Sequence, residues 1–131
     1  MKIAVLDTSA IIRLFIPDGP LPDGLEDFVN AAWHAEASLL TPELALTEAA
    51  QVLRKKELAK FLKQPEVDDI LSAIMALPLE TIDHYDLLPD ALEIARQKNL
   101  TVYDSLFLAL AIKRKATLLT ADEQLDHAYN G

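Results

Sequence analysis

Lys2-Ile3-Ala4-Val5-Leu6-Asp7-Thr8-Ser9 is the stretch on which the fold turns. A short apolar run bounded by polar residues reads as a buried strand, and this one ends on an acid. The pattern returns near the other end of the chain in Thr117-Leu118-Leu119-Thr120-Ala121-Asp122. A third run, Leu39-Leu40-Thr41, leads into a helix that carries Glu48. Strands separated by helical stretches imply right-handed crossovers and a parallel sheet. Asp7 and Asp122 then fall just past the carboxyl ends of strands, the rim where open α/β sheets bind ligands.

Working outward, the chain alternates strand-like and helical segments. A helix is expected from about Ser9 to Phe15, broken by Pro17-Asp18-Gly19-Pro20, and another from about Gly24 to Glu36. Thr41 reads as the N-cap and Pro42 as the first position of a helix reaching about Lys56. Further helices are expected over Glu66–Leu77 after Pro65 and, capped by Asp86, up to Lys98, where Asn99 is a left-handed stop. Leu79–Ile82 and Thr117–Leu119 read as strands. Asp104 opens the helix Ser105–Lys115, and Asp122 heads the last one, to about Tyr129. The expectation is one α/β domain over residues 1–131, with a small parallel sheet of about four strands under about seven helices.

With 131 residues the chain is long enough to bury a core. Cysteine is absent, which removes disulfides and thiolate metal sites and is compatible with a reducing cytosol. Asp7 and Arg13 interrupt the first apolar residues, which argues against an export signal. No run approaches the roughly 18 apolar residues that span a bilayer. A soluble, cytoplasmic protein with no membrane partner is expected. A formal charge of −9 argues against bulk electrostatic binding of nucleic acid. The basic residues are nonetheless clustered: Arg54, Lys55, Lys56, Lys60 and Lys63 in one group, Lys113, Arg114 and Lys115 in another. Two readings stand for each cluster, complement to a helix dipole or contact with phosphates.

Each acid has a structural alternative. Asp7 could cap the next helix, although Thr8 or Ser9 could do so and leave it free. Glu48 falls at the margin of an apolar face formed by Ala45, Leu46, Ala49, Ala50, Val52 and Leu53, while Gln51 and Lys55 lie opposite. An acid on that border is partly buried and needs a partner, or is simply a surface glutamate. Asp104 precedes the apolar run Leu106–Ala111, and it and Asp122 could be N-caps or ligands. Carboxylates gathered in one place repel unless a cation lies between them, and hard divalent ions prefer oxygen ligands. Together the acids point to a metal-dependent phosphodiester enzyme. His34, His84 and His127 lack metal-ligand spacing, Asp68-Asp69 reads as a solvated face, and only three glycines leave no phosphate loop.

Four segments together resemble the PIN-domain family, and most closely its small VapC-like toxin ribonucleases. They are Val5-Leu6-Asp7-Thr8-Ser9, Leu46-Thr47-Glu48-Ala49-Ala50-Gln51-Val52-Leu53, Tyr103-Asp104-Ser105-Leu106-Phe107-Leu108-Ala109-Leu110-Ala111, and Leu119-Thr120-Ala121-Asp122. The resemblance implies a Mg²⁺- or Mn²⁺-dependent endoribonuclease, the toxin of a type II toxin–antitoxin pair, with RNA as substrate, a cognate antitoxin as partner, and a homodimer. Asp7, Glu48, Asp104 and Asp122 would be the catalytic and metal-holding acids, with Thr8, Ser9 and Thr120 orienting them. Arg54, Lys55, Lys56 and Lys60 are candidates for RNA contact. Family members end on a further short strand, whereas this chain stops at Tyr129-Asn130-Gly131, so the fifth strand is expected to be missing or truncated.

A receiver-like domain would want an acid pair after the first strand, and a haloacid-dehalogenase-type phosphatase an acid where Ser9 stands. The remaining rival is a catalytically inert PIN-like RNA- or protein-binding module, which a metal titration would separate. Ile11, Ile12, Leu14, Phe15 and Ile16, with Phe28, Val29 and Trp33, exceed what a small sheet covers and suggest a partner groove near Phe15 and Trp33.

Overall fold

β1 (Lys2–Leu6) is the central strand. It pairs in parallel with β2 (Ala37–Pro42) on one side and β4 (Thr117–Leu119) on the other, and β3 (Leu79–Ile82) pairs in parallel with β2. The order is therefore β3-β2-β1-β4. The molecule is known as a computed structural model that describes residues 1–130; Gly131, the last residue of the expected domain, lies outside the described residues. Ala4, Val5, Leu6, Leu39 and Leu40 are buried, as a strand covered on both faces requires. The four-stranded sheet matches the expectation, and no fifth strand exists among the described residues.

Seven α-helices among the described residues surround the sheet: α1 (Thr8–Arg13), α2 (Leu25–Trp33), α3 (Leu44–Leu58), α4 (Gln64–Met75), α5 (Leu88–Lys98), α6 (Val102–Arg114) and α7 (Glu123–Asn130). The apolar run of α6 is buried from Ser105 to Ala111, and this helix packs on β1, β2 and α5. Asn99 (φ 54°) terminates α5 in the left-handed conformation, as its sequence predicts.

Several boundaries differ, each for a physical reason. Thr41 does not cap α3. It is the penultimate residue of β2, and its buried hydroxyl donates to the Leu6 carbonyl at 2.8 Å. Pro42 ends that strand instead of starting the helix. Pro65 lies inside the first turn of α4, where its missing N–H costs nothing, and Glu66 accepts the N–H of Lys63 at 2.9 Å. Asp86 sits within a 3-10 turn, Tyr85–Leu87, that precedes α5; Asp83 takes the Tyr85 N–H at 2.9 Å. Asp104 does not open α6 either, because Thr101 caps that helix and accepts the Asp104 N–H at 3.1 Å.

The apolar surplus of the first two helices is mostly covered. Ile11, Ile12 and Ile16 are buried, while Leu14, Phe15, Phe28 and Val29 pack against the core; Trp33 remains 57% exposed.

Candidate active site

Asp7 is placed by the end of β1 and the start of α1. Asp7 is itself the N-cap of α1, the role that Thr8 or Ser9 could have taken: its Oδ1 accepts the Ala10 N–H at 2.9 Å. The same oxygen accepts from the Ser9 hydroxyl at 2.8 Å, and Oδ2 accepts from the Thr120 hydroxyl at 2.6 Å. Only 4% of the residue is exposed. Burial pushes the carboxyl up to about 6, more than the donors from Thr120, Ala10 and Ser9 can offset, and the charge of Asp122 adds to the rise. Each hydroxyl has one proton, and those of Ser9 and Thr120 are both committed to Asp7. The 3.3 Å approach of their oxygens is therefore contact alone. Their lone pairs accept backbone N–H groups, Ala121 on Ser9 at 2.9 Å and Asp122 on Thr120 at 3.0 Å. The β4–α7 turn is thus bound to the carboxylate of β1 by two side chains.

Asp122 caps α7, accepting the Leu125 N–H at 3.0 Å. Glu48 lies within α3 at the half-buried margin read from its periodicity, with Gln51 and Lys55 exposed opposite. Its Oε1 accepts from the Thr8 hydroxyl at 2.8 Å. The Asp104 carboxylate is half-buried and anchored by no close hydrogen bond among the described residues. Burial raises its pKa, the charge of Asp122 raises it further, and the nearby Thr101 hydroxyl only partly offsets this.

All four acids line one cavity of about 310 Å³, with Thr8 and Ser9 beside them. The shared charge effect of Asp122 on Asp7 and Asp104 says the same in electrostatic terms. As they stand, no three of these side chains are drawn in close enough to share one ion among the described residues. The donor set is nevertheless carboxylate and hydroxyl oxygen throughout, which suits a hard divalent cation and excludes none of the four. None of the histidines lines the cavity.

Two lining residues escaped the sequence reading, Arg13 and Asp18. A charge inside Ile11-Ile12-Arg13-Leu14-Phe15-Ile16 was the available signal for the first, while Asp18 is brought in only by the turn at 17–20. Of the basic candidates, Arg54 pairs with Glu57, and Lys55 and Lys60 are exposed. None of Arg54, Lys55, Lys56 and Lys60 lines the cavity; Lys56 reaches it indirectly, pairing with Asp18 at 3.1 Å. Lys113 and Arg114 close the end of α6 remote from Asp104, and Lys115 is its C-cap.

Comparison with known proteins agrees with this fold. The family model described as "PIN domain" matches residues 4–131. Ribonuclease VapC3 of Pyrobaculum aerophilum is 32% identical over 123 residues, covering 92% of this chain and 90% of that protein. Among solved structures, PAE2754 of Pyrobaculum aerophilum superposes with a TM-score of 0.71 at 20% identity, over 99% of this chain and 87% of that one. VapBC2 of Rickettsia felis, bound to a DNA fragment from its promoter, gives 0.68 at 20% identity over 98% and 94%. VapC20 of Mycobacterium tuberculosis, a toxin that cleaves the sarcin-ricin loop, gives 0.65 at 15% identity over 95% and 94%. The structural likenesses speak to the fold, and the family match and the close relative go further: this chain belongs to the PIN domain family.

Proposed function

We propose that this protein is a Mg²⁺- or Mn²⁺-dependent endoribonuclease, the toxin of a toxin–antitoxin pair, with Asp7, Glu48, Asp104 and Asp122 as its catalytic acids. The observation that carries the reading is the convergence of those side chains on one cavity at the carboxyl end of the sheet, in a PIN-family chain whose relative is a ribonuclease. A divalent cation held there would neutralise charge on the phosphoryl oxygens and favour attack by water. The chain's own residues do the rest. Ser9, Thr120 and the Ala10 N–H hold Asp7 in one rotamer, and Thr8 aims Glu48. Asp104 brings a carboxylate that is free to turn toward a ligand. Asp122 raises the charge density of the cavity, which strengthens its demand for a cation.

A cognate antitoxin and a homodimer complete the proposal. Support for the first is the fold shared with VapBC2, a toxin–antitoxin pair. Trp33, 57% exposed on α2, and the partly covered Phe15 support an apolar surface able to accept an amphipathic helix. Incubating a mixed RNA pool with the protein, with Mn²⁺ or with EDTA, tests the activity. Metal-dependent cleavage at discrete positions is expected. Intact RNA in every metal, together with RNA or protein binding, would favour the inert module instead.

A further inference from the structure

Among the described residues Arg13 is the only cation lining either the acid cavity or the larger neighbouring cavity of about 690 Å³, and it lines both. Asp18 and Asp122 are the other charged residues common to the two. Despite that company Arg13 enters none of the three ion pairs among the described residues. Its only hydrogen bond there runs from Nη1 to the Pro20 carbonyl at 2.8 Å. A guanidinium has five N–H donors in a planar fork, so most remain available.

The head is also held in place. A Cβ on Gly19 would stand 2.7 Å from Nη1 and 3.4 Å from Cζ, so the guanidinium lies against the Gly19 backbone and would have to swing aside for a larger residue. The turn carrying Gly19 is itself tied down through Asp18, which pairs with Lys56 at 3.1 Å. Arg13 thus stands at the junction of two cavities whose other charged residues are acids, in a protein of net charge −9. The acids of the two linings repel phosphate, and a planar fork matches its geometry.

Resting on the ribonuclease reading, we infer that Arg13, set by the Gly19-Pro20 backbone, binds the RNA phosphate adjacent to the scissile one and so positions the strand across the acid cavity. The contact does not depend on a divalent ion. It can therefore be measured in EDTA by the binding of a short labelled single-stranded RNA over a range of salt. Arg13→Ala is expected to weaken binding about tenfold and to lower the salt slope by about 0.7, the value for one phosphate contact on a single strand. Arg13→Lys should recover part of the loss. Gly19→Ala, which displaces the head while keeping its charge and the fold, should weaken binding about threefold. In Mn²⁺, Arg13→Ala should raise KM more than it lowers kcat. If wild type and Arg13→Ala bind equally with equal salt slopes, or if wild type binds no RNA in EDTA, the inference is overturned. A drop in melting temperature with an unchanged slope overturns it too, reducing Arg13 to a pin for the turn. Absence of cleavage by wild type in any metal would instead count against the ribonuclease reading, and the EDTA comparison would still decide Arg13.

Discussion

Asp7 and Asp104 face the same cavity, yet Asp7 is 4% exposed and takes hydrogen bonds from Ser9, Ala10 and Thr120, while Asp104 is half-buried and loosely held. The difference follows from where each stands. Asp7 directly follows a central strand whose neighbour β4 brings Thr120 alongside, so backbone pairing aligns the donors. Asp104 lies within the first turn of a helix that Thr101 already caps, so nothing in α6 needs its carboxylate. One side of the site is held by hydrogen bonds and the other is not, and the four acids share a cavity without meeting at one point among the described residues.

The largest expected effect breaks both sides alike. Asp7→Asn, Glu48→Gln or Asp104→Asn should each lower RNA cleavage at least about a hundredfold with the fold kept, as read by circular dichroism. Any two of them retaining wild-type rates at saturating Mn²⁺ would sink the site assignment.

Stability should separate the sides. The carboxyl of Asp7 titrates at about 6 in the folded chain against an ordinary 3.8, so the folded state keeps a proton that the unfolded state releases. Stability from protonated Asp7 is full below about pH 4 and is lost as pH rises through 6, on the order of 3 kcal/mol in EDTA. Asp104, raised in the same direction, adds to the trend. Denaturant melts from pH 4 to 7 should show that decline in wild type and a much flatter profile in Asp7→Asn. At pH 7, Mn²⁺ at a hundredfold excess over its Kd should return roughly 2.7 kcal/mol. A wild-type stability flat across this range would contradict the buried carboxylate.

Thr120→Val sharpens the contrast, since it removes the 2.6 Å bond to Asp7 without touching a carboxylate. A loss of about 2 kcal/mol is expected, with cleavage down about tenfold. Thr101→Val, on the Asp104 side, should cost about 1 kcal/mol as a lost cap. Equal losses in cleavage for the two variants would erase the distinction between the sides. The smallest effect concerns the cations outside the cavity. Replacing Lys55, Lys56 and Lys60 together by Ala should weaken RNA binding severalfold and flatten its salt dependence. An unchanged slope would leave them as solvated helix-end charges.

The order of strands and helices could be read from the chain because it rests on local periodicity. Apolar runs such as Ile3–Leu6 and Leu118–Leu119 and the buried stretch Leu106–Ala111 need no distant contact to be recognised. The acids were legible for the same reason, each at a strand end or on a helix margin. Which hydroxyl meets which carboxylate was not legible. Thr41 looked like a cap and serves the sheet, while Thr120 meets Asp7 only because β1 and β4 are neighbours. Arg13 and Asp18 joined the site through the turn at 17–20, which folds back so that the Pro20 carbonyl meets the guanidinium. Sequence by itself determined the α/β alternation and the set of acids, since both follow from side-chain pattern along the chain. Tertiary structure alone decided the partners, the burial that lifts Asp7, and the single cation beside the acids, because those depend on distances between residues the chain holds far apart.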